Sequence, residues 1–250
     1  MKQIVGLALA LCTCVAAARA ADEPQAGRQE PQKFEKQVTI HLDYLAYLPK
    51  DYDKDSNKKW PLIVFLHGAG ERGTDIEMVK KHGPPKIAEA KALPFVIVSP
   101  QCPPERWWDV PVLSVWLDDV MTKYRVDPDR VYLTGLSMGG FGTWSWAEAQ
   151  PKRFAAIAPM CGGGDAFRAR ALRNTPIWCF HGEKDPTVPI RASEEMVDAV
   201  KKAGNKDVKF TRYPEAGHDC WTVSYDNPEL YEWFLQHERS GESAAKSSNR

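Results

Sequence analysis

The sequence predicts an α/β protein built on a doubly wound, mostly parallel sheet with an antiparallel N-terminal edge. From residue 37 onward, short β-branched and aromatic runs alternate with longer stretches of helical period, the pattern of strand–helix–strand units. The runs LIVFL (62–66), FVIV (95–98) and IWCF (177–180) are apolar throughout, as strands covered on both faces require. The first run, QVTIHLDYLAYLP (37–49), alternates apolar with polar residues and therefore reads as the antiparallel edge, with one wet face.

Residues 1–20 stand apart from that pattern. Lys2 precedes an apolar run from Ile4 to Ala18, and Ala18-Arg19-Ala20 is an A-x-A cleavage site, so the segment reads as a secretory signal peptide cut before Ala21. Cys12 and Cys14 follow Leu11 and Thr13, poor residues to precede a lipidated cysteine, so export with cleavage is expected rather than a stable membrane anchor. The expected location is secreted or periplasmic. Residues 21–36 and 239–250 are polar and aperiodic and are expected to be disordered tails. Between them, 37–238 is expected to be one catalytic domain.

Within it, strands are expected at Val38–Leu48, Leu62–Leu66, Phe95–Ser99, Val131–Thr134, Ala155–Met160, Ile177–Phe180 and Val208–Tyr213. Helical period falls near 76–91, 112–125, 138–150, 191–203 and 228–238. Lysine plus arginine equals aspartate plus glutamate, so no net field draws the chain to nucleic acid or an anionic surface. Cys102, Cys161, Cys179 and Cys220 lack framework spacing, and at least two are expected to be free buried thiols. Without C-x-x-C or H-x-x-x-H, no structural metal site is expected, and no cofactor is called for.

Ligands of such sheets bind at the carboxyl ends of the strands. Six polar clusters fall there: HGAGERG (67–73), PQCPPERWW (100–108), GLSMGG (135–140), CGGGD (161–165), HGEKDPTVP (181–189) and EAGHDCW (215–221). In the third, Ser137 stands in a G-x-S-x-G between a strand and a helix, where flanking glycines relieve the crowding of a sharp turn and the hydroxyl is held up at the strand end. A serine hydroxyl needs an adjacent base, and a histidine has the right pKa. His41, His82 and His237 are expected to be exposed, and His67 and His181 to make structural hydrogen bonds. His218, after Gly217 and late in the chain, suits the order serine, acid, histidine. The acid is expected to be Asp185, made extended by Pro186, with Asp165 a distant second. Oxyanion donors are expected from the N–H of Met138 and, across the rim, of Ala69. Glu71 and Arg72 are expected to pair at the base of that loop.

His67-Gly68-Ala69-Gly70-Glu71-Arg72-Gly73, Gly135-Leu136-Ser137-Met138-Gly139-Gly140, His181-Gly182-Glu183-Lys184-Asp185 and Gly217-His218 together resemble the α/β-hydrolase fold. More narrowly, they are similar to single-domain carboxylesterases and predicted peptidases related to the prolyl oligopeptidase catalytic domain. The likeness runs from about residue 37 to 238. It implies a Ser-His-Asp hydrolase mapped onto Ser137, His218 and Asp185. Dienelactone hydrolases are set aside at this point, because they carry cysteine where this chain has Ser137. No insertion is long enough for a lid domain, so an open site is expected, walled by Trp108 and Trp221 with Trp107 beside them. The expected substrate is a small-molecule or polymer-linked carboxylic ester, such as acetyl or feruloyl groups on polysaccharide. The alternative is a serine peptidase acting on short peptides.

Overall fold

The computed structural model describes residues 26–239, so the expected leader, 1–20, and most of the expected C-terminal tail lie outside the described residues. Residues 26–39 are exposed and carry no helix or strand. Among the described residues, those from Ile40 onward form one densely connected unit. Its seven strands are β1 (Tyr44–Tyr47), β2 (Trp60–Leu66), β3 (Val96–Pro100), β4 (Val126–Leu136), β5 (Ala156–Met160), β6 (Ile177–Gly182) and β7 (Val208–Tyr213). They lie in the order β1-β3-β2-β4-β5-β6-β7, parallel except for β1, which runs antiparallel to β3.

The helices are α1 (Gly83–Lys91), α2 (Val110–Lys123), α3 (Met138–Ala149), α4 (Arg191–Lys202), α5 (Trp221–Asp226) and α6 (Pro228–Leu235), with short 3-10 turns between. Because successive strand side chains point to opposite faces, β2 feeds two cores. Leu62, Val64 and Leu66 pack with Leu113, Leu117 and Val120 of α2, Trp144 and Trp146 of α3 and Val200 of α4. Ile63 and Phe65 pack with Ala88 of α1, Tyr225 of α5 and Leu230 and Phe234 of α6. Every residue of β2 is buried, which is why the run carries no polar alternation. Each such side chain contributes about 1.5–3 kcal/mol by leaving water.

Two expected elements change on folding and one helix is added. The edge strand is four residues long rather than eleven, because β3 offers Tyr44–Tyr47 only the partners Pro100 to Ile97. His41 therefore lies before the strand and is exposed. The period expected over 76–91 splits into a 3-10 turn, Ile76–Lys81, and α1. Gly83 sits between them at φ +68°, and Phe65 ring carbons lie 2.5–2.6 Å from where a Cβ would stand. The segment 221–226 forms α5, too short to show a period in sequence. All four cysteines of the described region are free and buried. No helix among the described residues is long and apolar enough to cross a membrane.

Candidate active site

Ser137 sits where β4 turns into α3. Its backbone takes φ +52° and ψ −118°, a conformation a non-glycine residue adopts only when its surroundings enforce it. The turn is tied down by Ser137 N–H donating to Met160 O (3.0 Å) and Phe141 N–H donating to Ser137 O (3.0 Å). Both flanking glycines are obligatory for space. A Cβ on Gly135 would lie 2.4 Å from Gly139 O, and one on Gly139 would lie 1.9 Å from Leu66 O.

The loops after β6 and β7 reach Ser137 because they lie backbone against backbone. A Cβ on Gly182 would stand 2.2 Å from Gly217 O, and Lys184 N–H donates to Ala216 O at 3.0 Å. In the first loop, Asp185 Oδ1 accepts the N–H of Thr187 (2.8 Å) and of Val188 (2.9 Å), which fixes the carboxylate rotamer. The other oxygen, Oδ2, lies 2.7 Å from His218 Nδ1. On the far side of the ring, His218 Nε2 lies 2.9 Å from Ser137 Oγ. Burial pushes the Asp185 carboxyl up, but the bonds from His218, Val188 and Thr187 outweigh it and hold it below the usual carboxylate range. An ionised Asp185 can only accept, so Nδ1 carries the proton and bare Nε2 accepts from the serine hydroxyl. Ser137, His218 and Asp185 thus form one hydrogen-bonded array able to take a proton from an attacking hydroxyl.

The remaining candidates sit as follows. Met138 opens α3, where the first N–H groups have no acceptor within the helix. Ala69 lies on the exposed face of the loop after β2. That loop comes close, since a Cβ on Gly68 would be 3.6 Å from Ser137 Cβ. Gly68 N–H is already taken by Glu71 Oε2 at 3.0 Å, and Ala69 is the next residue along the loop. The expected pairing of Glu71 with Arg72 is not formed, because Glu71 is buried and accepts Gly68 N–H. Arg72 instead donates to Ala69 O (3.0 Å) and Arg106 O (3.2 Å). Gln101 Nε2 donates to Glu71 O (2.9 Å) and Asp75 O (2.8 Å), closing the loop from below.

His67 makes the structural bonds expected of it. Nδ1–H donates to Gly68 O (2.6 Å), Nε2 accepts Cys102 N–H (3.0 Å), and burial lowers the ring to about 4, so it stays neutral. His82 and His237 are half-buried rather than exposed, because each packs on an indole: His82 on Trp221 (5.5 Å) and His237 on Trp233 (4.6 Å). Asp165 faces solvent as the cap of the 3-10 turn Ala166–Leu172 and accepts Phe167 N–H.

Of the tryptophans, Trp221 stands edge-on to His218 at 5.1 Å. Trp108 is held by its indole N–H on His67 O (3.2 Å) and lies over Gly142, so it backs the loop. Trp107 is the exposed indole, 63% accessible and edge-on to Phe141 at 6.3 Å. Cys161 Sγ, Asp185 and His218 place ligand atoms within 4.8 Å of one another. The 2.7 Å between His218 and Asp185 is tighter than the ~3.4 Å separating two ~2.1 Å ligands of a tetrahedral zinc. The trio as folded is set for a proton rather than for a metal ion.

Glu148, buried on α3, carried no sequence signal except the facing run Gly162-Gly163-Gly164. Its Oε1 accepts Asp165 N–H at 3.1 Å, and a Cβ on Gly164 would lie 2.8 Å from the same oxygen. Burial pushes its carboxyl up to about 7 against an ordinary 4.5. The unfolded chain therefore releases this proton first, and stability is expected to fall as pH rises from about 4.5 to 7 by on the order of 3 kcal/mol. Glu148→Gln keeps the acceptor and is expected to remove that slope when melting temperatures are compared across the same range.

Comparison with known proteins adds the following. Residues 111–242 match the Dienelactone hydrolase family. The chain is 28% identical over 212 residues to a bifunctional acetylxylan esterase/xylanase of Neocallimastix patriciarum, covering 80% of this chain and 29% of that protein. It matches the crystal structure of a thermostable esterase with 35% identity and a TM-score of 0.70, covering 81% of this chain and 60% of that one. An acylaminoacyl peptidase of Pyrococcus horikoshii shares the fold at 19% identity and a TM-score of 0.60, covering 84% of this chain and 42% of that one. The chain thus spans under two thirds of each relative's length. The family match overturns the setting-aside of dienelactone hydrolases on the nucleophile alone. The matched residues are more than half of the chain and include Ser137.

Proposed function

Because the chain belongs to the dienelactone hydrolase family and has the α/β-hydrolase fold, it is an esterase-type hydrolase, and we propose that it cleaves carboxylic esters by serine catalysis. The observation that carries this reading is the array Ser137 Oγ–His218 Nε2 (2.9 Å) and His218 Nδ1–Asp185 Oδ2 (2.7 Å) at a strained strand end.

In this reading Ser137 Oγ attacks the ester carbonyl while His218 Nε2 takes its proton. The oxygen of the tetrahedral adduct gains negative charge, which the N–H groups of Met138 and Ala69 stabilise in place of water. Collapse expels the alcohol, protonated by His218, and leaves Ser137 acylated. Water then enters by the same route and releases the acid. Asp185 stays ionised throughout, holding the imidazole in its tautomer and stabilising its cation.

The substrate is proposed to be an acyl ester borne by a polysaccharide, met outside the cell by a chain exported on its leader. The acetylxylan esterase relative supports the class. The rim supports it too: Trp221 stands beside His218, and exposed Trp107 with Phe141 offers flat apolar surface to a sugar face. Acetate or ferulate release from acetylated and feruloylated xylan, p-nitrophenyl acetate turnover and cleavage of a blocked peptide amide are to be compared side by side. Esters of both kinds are expected to turn over and the amide is not. Turnover of the amide above the esters would favour the peptidase reading, and activity confined to the soluble ester would overturn the polymer assignment.

A further inference from the structure

A second imidazole stands on the acid. His181, the penultimate residue of β6, is fully buried. Its Nε2 lies 2.8 Å from Val188 O and 3.2 Å from Asp185 Oδ2, the same oxygen that faces His218 Nδ1 at 2.7 Å. Its Nδ1 lies 2.7 Å from Ser193 Oγ on α4, and that hydroxyl also reaches Gly162 O at 2.8 Å.

The proton on this ring is fixed by its neighbours. Val188 O and the Asp185 carboxylate accept only, so Nε2 must donate. Burial holds His181 below the ordinary histidine range, so the ring carries one proton and bare Nδ1 shares the single hydroxyl hydrogen of Ser193 with Gly162 O. We propose that His181 is a positioning residue for the reaction: its Nε2–H, divided between Val188 O and Asp185 Oδ2, makes that oxygen a double acceptor and sets how strongly Asp185 holds the His218 proton. The proposal rests on the reading of Ser137, His218 and Asp185 given above.

The consequence has a sign. A carboxylate oxygen that accepts a second N–H keeps its charge more easily and pulls less on the His218 Nδ1–H. Removing that donor strengthens the Asp185–His218 bond, favours the imidazolium and moves the acid limb of the pH–rate profile to higher pH. Of the other titratable groups, Cys161 after β5 has its Sγ within 4.8 Å of the Asp185 and His218 atoms, Cys220 lies against Cys161, and Cys179 of β6 lies against Ser193. Burial pushes the Cys161 and Cys179 thiols up, so both remain uncharged. The ion pairs of Arg212 with Glu183 and Glu194 lie at the surface.

The test is the pH dependence of fluorophosphonate labelling in the full chain, which reads the Ser137–His218 pair without assuming a substrate. His181→Leu removes both nitrogens, His181→Gln returns an N–H near the Nε2 position, and His181→Asn places its amide near Nδ1 instead. His181→Leu is expected to shift the acid limb upward by about one pH unit, so that labelling at any pH well below both midpoints falls about tenfold. His181→Gln is expected to restore the midpoint and His181→Asn is not. Equal midpoints in all variants, or equal losses in the glutamine and asparagine variants, would overturn the proposal. If the leucine variant fails to fold, the glutamine–asparagine contrast decides alone. A wild-type chain that takes no label at Ser137 would instead sink the serine-hydrolase reading, and the role of His181 with it.

Discussion

Replacing Ser137 by alanine is expected to lower kcat for ester hydrolysis by about 10⁴- to 10⁶-fold while leaving the melting temperature nearly unchanged. The array acts as a unit, so removal of the attacking oxygen leaves His218 and Asp185 with nothing to activate. What remains is whatever the N–H donors and substrate binding supply to attack by water, on the order of 10³-fold over the uncatalysed reaction. The fold is indifferent to this oxygen because the turn is held by backbone bonds, from Ser137 N–H to Met160 O and from Phe141 N–H to Ser137 O, which alanine keeps. Steady-state rates on p-nitrophenyl acetate with a thermal melt check both halves. A loss under tenfold would mean that another group attacks.

The largest effect on stability is expected two residues away. Gly139→Ala puts a Cβ 1.9 Å from Leu66 O and 2.8 Å from His67 O, both backbone atoms at the buried end of β2. No rotamer change relieves such a contact, so either α3 moves away from β2 or the central strands part. The expected cost is about 4 kcal/mol or more, seen as a melting temperature about 8–16 °C lower for a domain of this size. Gly70→Ala is the control, since nothing lies within 4 Å of its Cβ position. It is expected to change stability by less than about 0.5 kcal/mol. Equal effects at the two glycines would show that the close approach of α3 to β2 is not what the glycine secures.

The parallel strands were legible because burial on both faces leaves an apolar run that no helix of that length would carry. Their ends were less so. The alternation of 37–49 announces which side is wet but not how far the partner extends, and β3 runs out after four pairs. The break before α1 is marked by Gly83-Pro84-Pro85 but was passed over because apolar residues keep helical spacing on both sides, and the Phe65 ring against Gly83 shows why the chain turns there. At the site, Ser137, Asp185 and His218 were legible because each stands in a loop at a strand end beside a glycine or proline that serves no core. Glu71, Glu148 and His181 were not assigned these contacts. Their partners are backbone groups or distant side chains, Gly68 N–H, Asp165 N–H and the Asp185 carboxylate, and no spacing in the chain encodes such meetings. The tryptophans illustrate the same limit. Adjacent in sequence, Trp107 and Trp108 part company in space, one exposed against Phe141 and the other pinned to His67 O.

Mapping the adduct of a fluorophosphonate probe on the intact chain by peptide mass analysis tests the central claim most directly. The account predicts a single adduct on Ser137, formed faster as His218 loses its proton and nearly abolished in Asp185→Asn. An adduct on any other residue, or labelling of Ser137 that the Asp185 variant leaves untouched, would contradict it.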